Sequence, residues 1–328
     1  HNPRARAMLL TFSVALLASL CNAAAHAQTE AWPQKAVTII VPFAAGGNTD
    51  GIARIMGQRL SEELGQQFVI ENRPGAGGVL AAEAVAKAAP DGYTLFLATV
   101  SQIAIAPAIS KKRYDPIKDF APISNIATNP FVLAVHPGIP VKSLPEFVDH
   151  VRGQPSRLVY GTPGVGGVSH LCMALLLQRT GLQMNPVAYK GNGPAMNDLV
   201  AGHIPTMFLN LSEALPHTKG GTLRLLAVSS AKRVPQLPDV PTVAESGYTG
   251  FNILTWNGLM APAGTPKATI DRVAGIVAGA VKDPKVVERF ASYGIDPLGS
   301  TPEAFAATVA ADTVMWAEAV KVAGVQQQ

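Results

Sequence analysis

Short, almost wholly apolar runs recur along this chain, each followed by a segment with helical spacing, and this alternation constrains the fold more than any other feature. Val37–Pro42 (VTIIVP) reads as a strand buried on both faces. In Asp50–Leu64 the apolar residues Ile52, Ile55, Met56, Leu60 and Leu64 recur with the period of a helix. Phe68–Glu71 is a second strand, Gly78–Ala89 an Ala-rich helix stopped at Pro90-Asp91-Gly92, and Tyr93–Ala98 (YTLFLA) a third strand. Strands that are apolar on both faces and separated by helices imply a parallel sheet in an α/β layer structure.

The pattern restarts after Pro122. Phe131–His136, Leu158–Gly161, Pro186–Tyr189, Thr206–Leu209 and Leu223–Val228 read as strands, and Leu144–Arg152, Gly166–Arg179 and Pro194–Ala201 as helices. Arg233–Pro241 reads as a Pro-rich surface loop. Leu254–Ala261 is a further strand, and Ala268–Val281 and Pro302–Val322 are helices. Phe131–Pro140 and Gly258–Pro266 share a strand, turn and helix order, which suits the first segments after two chain crossings between lobes.

Residues 1–27 read as an export leader: Arg4 and Arg6, then the apolar run Met8–Leu20, then Ala25-His26-Ala27 as a small-x-small cleavage site. The run is too short to span a bilayer comfortably, which takes about 20 residues; an uncleaved anchor and a lipid-anchored Cys21 are the alternatives. Cleavage after Ala27 leaves 24 basic against 22 acidic residues, so the high isoelectric point does not signal nucleic acid. With Cys21 removed, Cys172 is the one remaining thiol; it sits on the apolar face of its helix and reads as core.

Two glycine-rich loops each end a strand and open a helix. The first is Pro42-Phe43-Ala44-Ala45-Gly46-Gly47-Asn48-Thr49-Asp50, the second Gly161-Thr162-Pro163-Gly164-Val165-Gly166-Gly167-Val168-Ser169-His170. Ligands of α/β proteins bind in the crevice beyond the strand ends. There the unpaired N–H groups and the positive dipole end of a helix favour an anion. Two such loops facing each other would grip a carboxylate, or both ends of a dicarboxylate, with little need for Lys or Arg. The plainer reading is an ordinary strand-to-helix turn, with Asn48 or Thr49 capping one helix and Ser169 and His170 filling the first turn of the other.

Nucleotide and catalytic signatures are missing from the sequence. Neither loop ends in Gly-Lys-Ser/Thr, and Gly164-Val165-Gly166-Gly167-Val168-Ser169 only approaches a dinucleotide fingerprint, with no ribose-binding acid after the next strand. There is no Gly-x-Ser-x-Gly elbow and no His-Glu-x-x-His. His136, His150, His170, His203 and His217 lack metal-ligand spacing, so no cofactor or metal is expected.

Taken together, these segments resemble the Bug/TctC family, the extracytoplasmic solute receptors of tripartite tricarboxylate transporters. The resemblance rests on an ordered set covering the mature chain. It begins with Val41-Pro42-Phe43, Gly46-Gly47-x-x-Asp50 and Ala53-Arg54, followed by Glu71-Asn72-Arg73-Pro74-Gly75-Ala76-Gly77-Gly78 and Pro90-Asp91-Gly92-Tyr93-Thr94-Leu95. It continues with Tyr160-Gly161-x-x-Gly164-x-Gly166 and His170-Leu171, Tyr189-Lys190-Gly191 and Asp198-Leu199-x-x-Gly202, and ends with Leu226-Ala227-Val228 and Ala261-Pro262-Ala263-Gly264-Thr265-Pro266.

The resemblance implies a two-lobed periplasmic binding protein of type II, a Venus flytrap with two crossing strands. Lobe 1 would comprise residues 28–127 and 254–328, and lobe 2 residues 128–253. By position, Phe43, Ala45, Gly46, Gly47, Asp50, Ser101 and Gln102 would serve the ligand from lobe 1. Thr162, Gly164, Val165, Gly166, Gly167, His170 and Asn210 would serve it from lobe 2. Asp50 would hold waters or helix-end donors rather than touch a carboxylate. Departures from the family pattern are Ser101-Gln102-Ile103-Ala104-Ile105-Ala106-Pro107 after the third strand, and Gly167 and Ala174, where the family often has Ser and Glu. The implied activity is non-enzymatic capture, by a periplasmic monomer, of a small carboxylate (dicarboxylate, amino acid or aromatic acid) for membrane transporter subunits. An exported enzyme acting on a small acid, or a sensory receptor using the same pocket, are the alternatives.

Overall fold

The computed structural model describes residues 32–110, 113–154, 158–189, 192–218 and 220–325. The expected leader with Cys21, and Lys111 and Lys112, lie outside the described residues.

The first apolar runs form the parallel core that their patterning predicts. β1 (Val37–Val41) leads to α1 (Asn48–Leu64), β2 (Phe68–Asn72), α2 (Val79–Ala86) and β3 (Thr94–Thr99). β1 lies between β2 and β3 and pairs parallel with both. Val37, Ile39 and Val41 pack with Ile52, Met56 and Leu60 of α1 in one apolar cluster, which explains the helical spacing of those residues. A π-helical turn (Ser101–Ile105) follows β3 and runs into a short helix, α3 (Ala106–Ile109).

The sheet is mixed rather than parallel throughout. β4 (Phe120–Val135) is a single strand of 16 residues, and the expected strand Phe131–His136 is only its second half. Pro122 and Pro130, with Ser124, Asn125, Thr128 and Asn129, make the first half read as a break, because proline cannot donate to a ladder. Register shifts between Pro122 and Ser124 and between Asn125 and Ala127 accommodate it as an irregular strand.

β4 joins two groups of elements. Beyond it come α4 (Leu144–Arg152), β5 (Val159–Thr162), α5 (Val168–Thr180), β6 (Asn185–Ala188), α6 (Asn192–Ala201), β7 (Thr206–Asn210), α7 (Leu211–Thr218) and β8 (Arg224–Val228). The second half of β4 pairs antiparallel with β7 and β8, and β5 pairs parallel with β6. The chain returns through β9 (Leu254–Pro262), which pairs antiparallel with both β3 and the first half of β4. It ends in α8 (Lys267–Ala280), α9 (Pro284–Ser292), β10 (Asp296–Pro297) and α10 (Pro302–Val322). β4 and β9 are thus two crossing strands, adjacent where Asn129 faces Thr255 and Pro130 faces Leu254.

α7 and α9 were not legible as helices, α7 because Pro216 lies inside it. The loop Arg233–Pro241 is not purely a surface feature, since Val234 and Leu237 are buried against β8 and its neighbours. The largest apolar cluster joins the two parts: Phe96 and Ile103 from one, Leu133, Phe147 and Leu171 from the other, and Phe305 and Trp316 of α10. Cys172 is a buried member of this cluster, and burial pushes its thiol pKa well up. Among the described residues no helix is long and apolar enough to cross a membrane.

Candidate functional site

A cleft of about 210 Å³ opens where the two crossing strands meet the strand ends of both parts. Its walls come from the first residues of α1 (Asn48, Thr49), the end of β3 and the turn after it (Thr99, Ser101) and the crossing strands (Asn129, Phe131, Trp256, Asn257). The opposite side contributes Pro163, the first residues of α5 (Val168, Ser169), Asn210 and Glu213. The first amides of a helix lack intrahelical acceptors and lie at its positive dipole end. Two long helices, one from each side, therefore end on this cleft with their N-termini.

Each glycine-rich loop is held by its own side chains. In the first, Asp50 is buried and accepts the N–H of Gly46 (3.0 Å), two donors of Arg54 (2.9 and 3.1 Å) and the Nδ2 of Asn72 (3.0 Å). Burial works against the Asp50 charge, but Arg54, Gly46 and Asn72 outweigh it and hold the carboxyl below its usual range. Asn72 also donates to the carbonyl of Phe43, which ties β2 to the loop. In the second loop, the Thr162 hydroxyl bonds the Gly164 carbonyl (3.0 Å), and the Gly166 N–H donates to Nδ1 of His170 (3.0 Å). Burial keeps the His170 pKa below the ordinary histidine value, which leaves Nδ1 free to accept. Gly46 (φ +93°) and Gly166 (φ +77°) take the left-handed backbone that these turns require.

Of the residues expected at the site, Ser101 and Asn210 line the cleft. Phe43, Ala45, Gly46, Gly47 and Asp50 build the turn that leads into its wall, and Asp50 stands behind that wall as the loop's anchor. Gln102 is fully buried behind the end of β3: its Oε1 accepts the N–H and hydroxyl of Thr99, and its Nε2 donates to Gly77. Thr162, Gly164, Gly166 and Gly167 shape the second turn, and Val165 is 63% exposed. His170 faces a different cavity with Tyr160, its ring stacked at 6.1 Å. Both loops therefore lie at the cleft, but the wall residues are the helix-opening side chains just after the glycines.

The crossing strands supply wall residues that loop reasoning missed. Nδ2 of Asn257 donates to Oδ1 of Asn129 (3.1 Å), and the Thr255 hydroxyl donates to the Asn129 carbonyl. Trp256 is buried, and its indole N–H donates to Asp312 of α10 (2.7 Å). Burial raises the Asp312 carboxyl despite this bond. The available signal was a set of polar side chains inside apolar strands. Glu213 had a signal too: Asn210 and Glu213 have capping-box spacing at the start of α7. A hydrogen bond from Asn48 Nδ2 to the Ser212 hydroxyl (2.9 Å) bridges the cleft from α1 to α7. Among the described residues no group of three or more His, Cys, Asp or Glu is placed to hold a metal.

The fold and sequence match several solved proteins over most of the chain. Periplasmic binding protein BugD is 36% identical, covering 90% of this chain and all of its own, with a TM-score of 0.75. An R. palustris protein solved with adipate is 36% identical, with 90% and 100% coverage and a TM-score of 0.79. MatC from Rhodopseudomonas palustris, solved with malate, is 34% identical, with 88% and 100% coverage and a TM-score of 0.74. BugD is a periplasmic binding protein, and this chain shares its two-lobed fold. The sequence profile of the tripartite tricarboxylate transporter family receptor, TctC, matches residues 52–324. The chain belongs to this TctC family, as a solute-binding receptor.

Proposed function

We propose that the cleft captures a small carboxylate in the periplasm and that the loaded protein, a monomer, delivers it to membrane transporter subunits. The observation that carries this reading is the convergence of the α1 and α5 N-termini on one cleft from opposite sides. Main-chain N–H groups and helix dipoles there favour an anion without a basic side chain. Relatives solved with adipate and malate support the ligand class.

In this reading residues 28–127 and 254–328 form one lobe and 128–253 the other. Motion about the Asn129-Pro130 and Leu254-Thr255 crossing would open and close the cleft. The ligand stabilises the closed state by the difference in its affinity for the two forms. Export follows the leader reading of residues 1–27. Asp50, Gly46 and Gly47 serve as the shaped turn of one half-site, and Thr162, Gly164, Gly166 and His170 as that of the other.

A thermal-shift screen of small carboxylates tests the reading. A true ligand at 100 times its Kd adds about 2.7 kcal/mol of stability. A screen of mono- and dicarboxylates with no response, together with native mass spectra showing no bound acid, would remove the carboxylate assignment. Turnover of the acid by pure protein would replace capture with catalysis.

A further inference from the structure

The cleft wall is not electrically uniform. α1 and α5 bring positive helix ends to it, whereas the N-terminus of α7 carries Glu213 as its third residue. One Glu213 oxygen accepts the N–H of Asn210 (3.2 Å) and the other the side-chain amide of Asn192. This is the back-reaching half of a capping box, so the carboxylate offsets the dipole of α7 itself. Two carboxylate oxygens offer about four acceptor sites, and the described partners use two of them.

Glu213 also lines an adjoining cavity with His217, so it stands in the partition between the two spaces. Burial raises its carboxyl pKa above the usual range despite the bonds from Asn210 and Asn192. Asn257 is 5% exposed, lines the wall, and its Oδ1 has no hydrogen-bond partner among the described residues. Among the described wall residues Glu213 carries the one formal charge, and no Lys, Arg or His joins it.

A plain dicarboxylate in this cleft meets attraction at the helix ends and repulsion at Glu213. A molecule with a carboxylate at one end and an N–H donor group at the other finds a complement at both. We infer that the ligand carries one carboxylate together with an ammonium or amide group, and that Glu213 is the specificity-determining residue that selects it over a plain dicarboxylate. The inference rests on the carboxylate-capture reading and narrows it.

Calorimetric titration at pH 7.5 with matched probes tests it: succinate, succinamate and 4-aminobutanoate in one series, and adipate, adipamate and 6-aminohexanoate in another. The expected result is that the ammonium or amide member of a series binds at least tenfold more tightly than its dicarboxylate. Glu213→Gln, which keeps an oxygen for the Asn210 N–H, is expected to cut the preference for the ammonium member at least tenfold with little change in melting temperature. Equal or tighter binding of the dicarboxylates overturns the inference while leaving carboxylate capture intact, as does a ratio unmoved by Glu213→Gln. Dicarboxylate binding that strengthens from pH 8 to 5.5, with that pH dependence abolished in Glu213→Gln, also overturns it, because Glu213 is then acting as a neutral donor; His217→Gln controls for the neighbouring imidazole. If neither series binds and native mass spectra of the freshly purified protein show no carboxylate, the capture reading itself fails and takes the inference with it.

Discussion

The two glycine-rich loops do the same backbone job with different chemistry. Each leaves a strand, turns through a left-handed glycine and opens a long helix onto the cleft. The first loop is locked by a charge: Asp50 draws in Gly46, Arg54 and Asn72. The second is locked by neutral groups, the Thr162 hydroxyl and the unprotonated imidazole of His170. The first turn projects into open space, while the second is pressed against α3 and the C-terminal end, where a Cβ on Gly166 would meet Ile109 at 2.6 Å. Matching shapes therefore have different vulnerabilities: the first loop depends on an electrostatic anchor and the second on fit and on pH.

The sharpest way to test this contrast is at the paired glycines. Gly166→Val combines a left-handed backbone with overpacking and is expected to cost about 3 kcal/mol. Gly46→Val adds only the backbone strain, about 1 kcal/mol, because nothing lies near its Cβ. Chemical denaturation of both variants checks the ranking; equal losses would dissolve the contrast. Asp50→Ala strands the Gly46 N–H and leaves the Asn72 amide with the Phe43 carbonyl alone; it is expected to cost about 2 kcal/mol, with Arg54 adding little because it is half exposed. Melting curves and ligand-induced shifts of that variant show whether the anchor serves stability, binding or both.

Acidity should separate the loops more gently. His170 has a folded-state pKa below its unfolded value of about 6.5, so the unfolded chain takes up protons first as pH falls. Its contribution is complete above that value, is lost as pH drops through it, and stops changing below the depressed folded pKa. Asp50 holds its charge to lower pH than a free aspartate, so the first loop should outlast the second on acidification. Denaturation between pH 7.5 and 5 for the native protein and His170→Gln checks this: the variant should have the flatter profile. The smallest effect is expected for Asn48→Ala, which removes one partly buried hydrogen bond across the cleft, about 0.5 kcal/mol.

How far the sequence discloses the site follows from these same elements. The strands and helices of the first part were legible because each buries a face whose period is written in its own residues, as in Ile52, Met56 and Leu60. The loops were legible because glycine marks turns that few other residues can make. The crossing was half hidden, since two prolines and a run of polar residues disguise the first half of β4. The meeting of Asn129 with Thr255 and Asn257 depends on pairing between segments far apart in the chain, and no local period reports it. Gln102 and His170 were placed at the ligand by position in the chain, but their side chains turn away, the first into the end of β3 and the second toward Tyr160. A glycine loop tells where the backbone goes; which neighbouring side chain faces inward is set by the helix that follows.

Trp256 gives the molecule a built-in optical gauge. Its indole belongs both to a crossing strand and to the lining of the cleft, and it is tethered to Asp312 on the last helix. Any guest that displaces solvent beside it, or any bending of that strand, alters the surroundings of a chromophore already present. Occupancy can therefore be followed by intrinsic emission without attaching a dye, and Trp256→Phe should remove the part of the signal that comes from the cleft wall.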